Sequence, residues 1–126
     1  MYALGVRREF TARHFLVGGD FGAENIEHSH HYRLEVVLES EVLNQHGFLV
    51  DIVEVEFHLN AVVDELRDKT LNNLPPFAGL NPSIEQLATI LHHSFKSRFH
   101  AAGLAALTIT IWEDDIAWTS YRESLR

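Results

Sequence analysis

The 126-residue sequence predicts an α+β domain of order ββααββ, and three observations carry that expectation. Alternating apolar and polar residues open the chain, a helical period fills its middle, and alternation returns near the end. Residues 2–15 read as a strand rich in aromatic and β-branched side chains, and 17–26, with Gly18, Gly19 and Gly22, as a loop. Residues 30–40 alternate again, with Tyr32, Leu34, Val36 and Leu38 on one face. Residues 44–47 carry turn chemistry.

From Asp51 the period changes. Val53, Phe57, Val62 and Leu66, with Val55, Leu59 and Val63 beside them, suit one face of a helix. Asp51 is its expected N-cap, and Glu54 three residues later completes a capping-box pattern. A loop over 72–82 holds all three prolines. Ser83 then caps a second helix with Ile84, Leu87, Leu91 and Phe95 at helical spacing, and Gly103 follows its end. Residues 104–112 and 115–123 read as the third and fourth strands, so an antiparallel sheet with both helices on one face is expected. Such a sheet leaves two open edges, which pairing between subunits would cover, so a homo-oligomer is expected.

Composition narrows the function. The length is that of one domain over 1–126, and 46% hydrophobic residues suffice for a packed core. No apolar run reaches the roughly 18 residues of a membrane span. The first ten residues, MYALGVRREF, lack the regions of a secretory signal, so a cytoplasmic location is the expectation. With no cysteine there is neither a disulfide nor a thiolate ligand or nucleophile. A net charge of −8 argues against nucleic acid as a partner.

Nine histidines in so short a chain call for a reason. His28 and His30 lie two apart at the start of the second strand, so their rings share a face while His31 points away. If the first two strands pair antiparallel across the 15–27 loop, His14 falls beside them. Catalytic zinc commonly takes three protein ligands and keeps one open position. A polar surface patch explains the same H-x-H spacing equally well, and spacing alone leaves the two readings open.

Phe10-Thr-Ala-Arg-His14 followed by His28-Ser-His-His-Tyr-Arg-Leu-Glu-Val36 resembles the 6-pyruvoyltetrahydropterin synthase / 6-carboxytetrahydropterin synthase family, whose members read F-x-A-x-H and then C-x-x-x-H-G-H-N-Y. The similarity continues through Gly47-Phe-Leu-Val-Asp51, Leu71-Asn72, Asn81-Pro-Ser-Ile-Glu-Gln-Leu-Ala88 and Ile111-Trp-Glu113. The resemblance implies the tunnelling fold, with sheets joined into a barrel, usually in a hexamer of two trimers. It implies zinc on His14, His28 and His30, and a pterin anchored by Glu113, whose carboxylate can accept two parallel bonds from the 2-amino and ring N–H groups. It also implies sites formed between subunits.

Departures from the family pattern bear on the reaction. Glu24 stands where the family has its catalytic cysteine, and Ser29 where it has glycine. The family's Asp-His pair falls on Arg67-Asp68, so the histidine of the relay is missing. Glu24 and Asp68 are the candidate proton-transfer groups, with Glu27 a competitor that should point away from the metal face. The resemblance thus implies a zinc-dependent lyase acting on 7,8-dihydroneopterin triphosphate or a related pterin. Aldolase-like cleavage to a 6-hydroxymethylpterin using Glu24, and a pterin-binding protein without the family reaction, are the alternatives. Against the acidic total charge, Arg13, Arg67 and Lys69 are the basic residues that could meet a triphosphate.

Overall fold

The computed structural model describes residues 1–100 and 103–125. Strands β1 (Tyr2–His14), β2 (His28–Ser40), β3 (Leu104–Glu113) and β4 (Ala117–Ser124) form one sheet in the order β1-β2-β3-β4. Every neighbouring pair is antiparallel. Helices α1 (Ile52–Leu66) and α2 (Ile84–Lys96) connect β2 to β3, α1 lying against β1 and α2 against β3 and β4. The ββααββ order is therefore the one the sequence predicts. β2 begins at His28, two residues earlier than the alternation suggests, which brings the whole H-x-H segment into the sheet.

Alternation decides what each strand buries. Phe10 and Ala12 of β1, Tyr32, Leu34, Val36 and Leu38 of β2, and Leu107, Ile109 and Ile111 of β3 are all buried. They meet Leu59, Val62 and Val63 of α1 and Leu87, Leu91 and Phe95 of α2 in one apolar cluster. Burying a side chain of this size is worth about 1.5–3 kcal/mol, so the cluster is the main source of stability.

Helix α1 corrects the expected face. Val55, Leu59, Val62, Val63 and Leu66 are buried, whereas Val53 is 70% exposed and Phe57 67% exposed. Two positions along a helix turn the side chain by about 200°, so Val53 and Phe57 lie on the far side from Val55 and Leu59. An apolar period on both sides of the helix could not reveal which stripe faces the sheet. The N-cap is confirmed, but the Asp51 carboxylate accepts from Val53 N–H at 2.9 Å rather than from Glu54. Ser83 caps α2 as expected, accepting from Gln86 N–H at 3.1 Å. The 72–82 segment is not wholly irregular, since it overlaps 3₁₀ turns at Leu71–Asn73 and Pro75–Phe77. Among the described residues no helix is long and apolar enough to cross a membrane.

Candidate metal centre

Register creates the site. In the β1–β2 ladder His14 stands opposite His28, and His30 stands opposite Ala12 one step along the same face. The three rings form a near-equilateral group, with centroids 4.6 Å apart for His14–His28, 4.9 Å for His14–His30 and 4.7 Å for His28–His30. Tyr32 continues the row, its ring 6.0 Å from that of His30 and stacked on Phe10.

Two loops finish the pocket. Asn72 pairs with Phe15 as a strand would: its Oδ1 accepts from Phe15 N–H at 3.0 Å and its Nδ2 donates to Phe15 O at 2.9 Å. Asn81 Oδ1 accepts from Val17 N–H at 3.0 Å. These bonds bring the Pro82 carbonyl to 2.8 Å from His14 Nδ1. On the other side Asn25 Nδ2 donates to the carbonyls of Leu16 and Gly19, at 2.9 and 3.0 Å. The short turn Gly22–Asn25 is thereby fixed and presents Glu24.

Each histidine spends Nδ1 on an acceptor: Pro82 O for His14, Ile26 O at 2.6 Å for His28, and Asp114 Oδ2 at 2.7 Å for His30. An acceptor at Nδ1 places the proton there and leaves Nε2 as a lone pair. All three Nε2 atoms are buried without a hydrogen-bond partner. Together with a Glu24 oxygen they form a group whose ligand atoms lie within 4.8 Å of one another.

The electrostatics of this group ask for a cation. Glu24 Oε2 lies 3.0 Å from His28 Nε2, and Glu113 Oε1 lies 3.5 Å from His30 Nε2. In each case two acceptors face each other, which repels. A cation placed between them relieves both contacts. Burial also holds the His14 pKa below the usual value of 6.5, although the Pro82 bond works in the other direction. One divalent ion serves all three lone pairs at once, and its charge offsets the carboxylate beside them. Three imidazoles are a donor set suited to zinc with one position left open. The residues present therefore fit a metal.

Around this group, the Glu113 carboxyl is pushed up in pKa, chiefly by burial. Asp114 is held below the usual carboxylate range: burial raises its pKa, but the His30 and His31 hydrogen bonds outweigh it. Burial drives the Tyr32 phenol upward, so it stays neutral, and its hydroxyl is buried without a partner.

The remaining expected residues divide. Glu27 points away as expected and accepts from Thr70 Oγ1. Asp68 is exposed in a left-handed turn at φ 60°, and its backbone is what is engaged. Its N–H donates to Thr11 O at 2.7 Å and its carbonyl accepts from the Arg13 guanidinium at 2.6 Å. Asp68, which the motif resemblance suggested as a second proton-transfer group, is not part of the four-residue group. Of the basic residues expected to meet a triphosphate, Arg13 donates its backbone N–H to Lys69 O at 2.8 Å, and Arg67 faces Asp64 at 3.5 Å. Asp114 escaped the sequence reading. Its only signal there is an acidic run, Glu113-Asp114-Asp115, at a strand end.

No curated protein matches the chain. Among solved structures, Caenorhabditis elegans 6-pyruvoyl tetrahydropterin synthase superposes with a TM-score of 0.86 at 22% identity, covering 98% of this chain and 96% of that one. A catalytic-residue mutant of Plasmodium vivax 6-pyruvoyltetrahydropterin synthase gives 0.83 at 12% identity, with 98% of each chain covered. An uncharacterised Wolinella succinogenes protein gives 0.72 at 15% identity, covering 99% and 98%. At these identities the likeness concerns the fold. Residues 3–124 match the profile of the family described as 6-pyruvoyl tetrahydropterin synthase. The chain, lacking cysteine but otherwise matched over nearly its whole length, belongs to that family.

Proposed function

We propose that this protein is a zinc-dependent pterin lyase that acts on the side chain of 7,8-dihydroneopterin triphosphate or a close relative. The observation that carries this reading is the convergence of three buried, unpaired Nε2 atoms beside Glu24 and Glu113. When bound, zinc supplies a Lewis acid that acidifies a side-chain hydroxyl or polarises a carbonyl. His14, His28 and His30 hold it, each aimed by its Nδ1 bond.

The chain's other groups take the remaining tasks. Glu113 accepts the 2-amino and ring N–H groups of the pterin, and those two donors offset the burial of its carboxylate. Glu24 is the general base, its carboxylate fixed by the Asn25-bonded turn within reach of a group seated at the histidines. Glu27 and Asp68 are left out of proton transfer because their contacts lie elsewhere.

Aldolase-like cleavage to a 6-hydroxymethylpterin is the second reading, and Glu24 favours it. The P. vivax relative carries its alanine substitution at a glutamate called a catalytic residue; in this chain Glu24 lies 3.0 Å from His28. Incubating zinc-loaded protein with dihydroneopterin triphosphate and weighing the products separates the outcomes. Pyruvoyl, carboxy and hydroxymethyl products differ in mass, and Glu24→Gln should abolish turnover while zinc remains bound. Pterin binding without turnover in the native protein would leave only a binding role. We also propose that β4 and the part of β1 before Thr11, beyond which the 68–70 segment covers the edge, pair between subunits in a homohexamer, which light scattering after size exclusion checks.

A further inference from the structure

Asp114 is a non-glycine residue in the left-handed region, with φ 53°, a conformation that aspartate tolerates better than most residues. Its polar groups are turned toward one short segment of β2. Oδ2 lies 2.7 Å from His30 Nδ1, and Oδ1 accepts from His31 N–H at 3.1 Å. Its own N–H donates to His31 O at 2.7 Å. Three bonds thus lock the turn after β3 onto the H-x-H segment, next to Glu113.

The three histidines are not held alike. His14 and His28 give Nδ1 to backbone carbonyls, whereas His30 gives it to a carboxylate. A charged acceptor makes the stronger bond and raises the electron density at the opposite nitrogen. His30 is also the ring whose Nε2 lies near Glu113.

We propose that Asp114 is a positioning residue: its carboxylate fixes His30 as the Nδ1–H tautomer, aims its Nε2 lone pair into the three-histidine group, and ties that ligand to Glu113. The consequence for metal rests on the zinc reading above; the consequence for the tautomer does not. Two variants separate this role from simple support of a strained turn. Asp114→Gly keeps the left-handed backbone and removes the acceptor. Asp114→Asn keeps the shape and offers only a neutral oxygen. Asp115→Asn, in the same acidic run but 81% exposed and paired with Arg33, is the charge-matched control.

Long-range ¹H–¹⁵N NMR of metal-free protein, at a pH where the rings are neutral, reads the tautomer. His30 should carry its proton on Nδ1 in the native protein and chiefly on Nε2 in Asp114→Gly. Competition with a chromophoric chelator reads zinc affinity. It should fall about tenfold or more in Asp114→Gly, less in Asp114→Asn, and stay unchanged in Asp115→Asn. A native His30 protonated on Nε2, or an Asp114→Gly protein with unchanged tautomer and unchanged affinity, overturns the proposal. If native protein binds no zinc yet the tautomer still switches in Asp114→Gly, the metal reading fails and the clamp stands.

Discussion

His14 and His92 are both buried, at 2% and 1% exposure, yet they do different work. Burial lowers the pKa of each, and each has a backbone carbonyl against one ring nitrogen. For His92 that nitrogen is Nε2, 3.0 Å from Leu107 O, and its Nδ1 lies 3.9 Å from Glu123 beneath the Tyr121 ring. For His14 the carbonyl takes Nδ1, and Nε2 faces two other rings with nothing to bond. Burial and a shifted pKa therefore do not mark a ligand. The mark is an unspent lone pair aimed at others like it.

Replacement by alanine tests this contrast most strongly. In metal-free protein His14→Ala and His92→Ala should each cost about 2–3 kcal/mol in denaturant unfolding, since each strands a buried carbonyl and leaves a void. Zinc at a hundred times its dissociation constant should then add about 2.7 kcal/mol to native protein and to His92→Ala. It should add nothing to His14→Ala. Equal zinc responses in the two variants would erase the distinction.

A pH series gives the next largest effect, and here the two residues should agree. Each ring has a folded-state pKa below the usual 6.5, so below that pH the unfolded chain binds more protons. Stability is complete above about 6.5 and is lost as the pH falls below it, levelling off under the folded-state values. The melting temperature of metal-free protein should therefore drop between about pH 7.5 and pH 5.5, and His92→Ala should flatten the drop. A temperature that holds or rises on acidification contradicts the burial argument.

Tyr32→Phe should have the smallest effect. The hydroxyl is buried without a partner, so deleting it should leave stability unchanged or raise it by about 1 kcal/mol. A loss would mean that the hydroxyl is bonded in solution.

Much of this was legible in the sequence where a simple period decides the outcome. Two-residue alternation put His28 and His30 on the face of Tyr32 and sent His31 to the other side, where it meets Glu9 at 3.5 Å. Antiparallel pairing across one loop was enough to bring His14 to them. The face of α1 was not legible, because apolar residues lie on both sides and only the packing chose Val55 over Val53. Asn72 and Asn81 could be noticed as parts of a motif, but their work is to bond the backbone at Phe15 and Val17, a contact across more than fifty residues. Asp114 was hidden for the same reason: it acts 84 positions from His30, through a bond set by the β2–β3 register. Asp68 shows the converse: motif resemblance suggested its side chain, whereas its backbone is what bonds Thr11 and Arg13.

The central claim is that three imidazole lone pairs are held ready for one metal ion. Elemental analysis of purified protein, beside His28→Ala, tests it most directly. About one zinc per chain in the native protein and none in the variant is the expected result. Zinc retained in full by His28→Ala, or a native protein that takes up none when titrated, would contradict it.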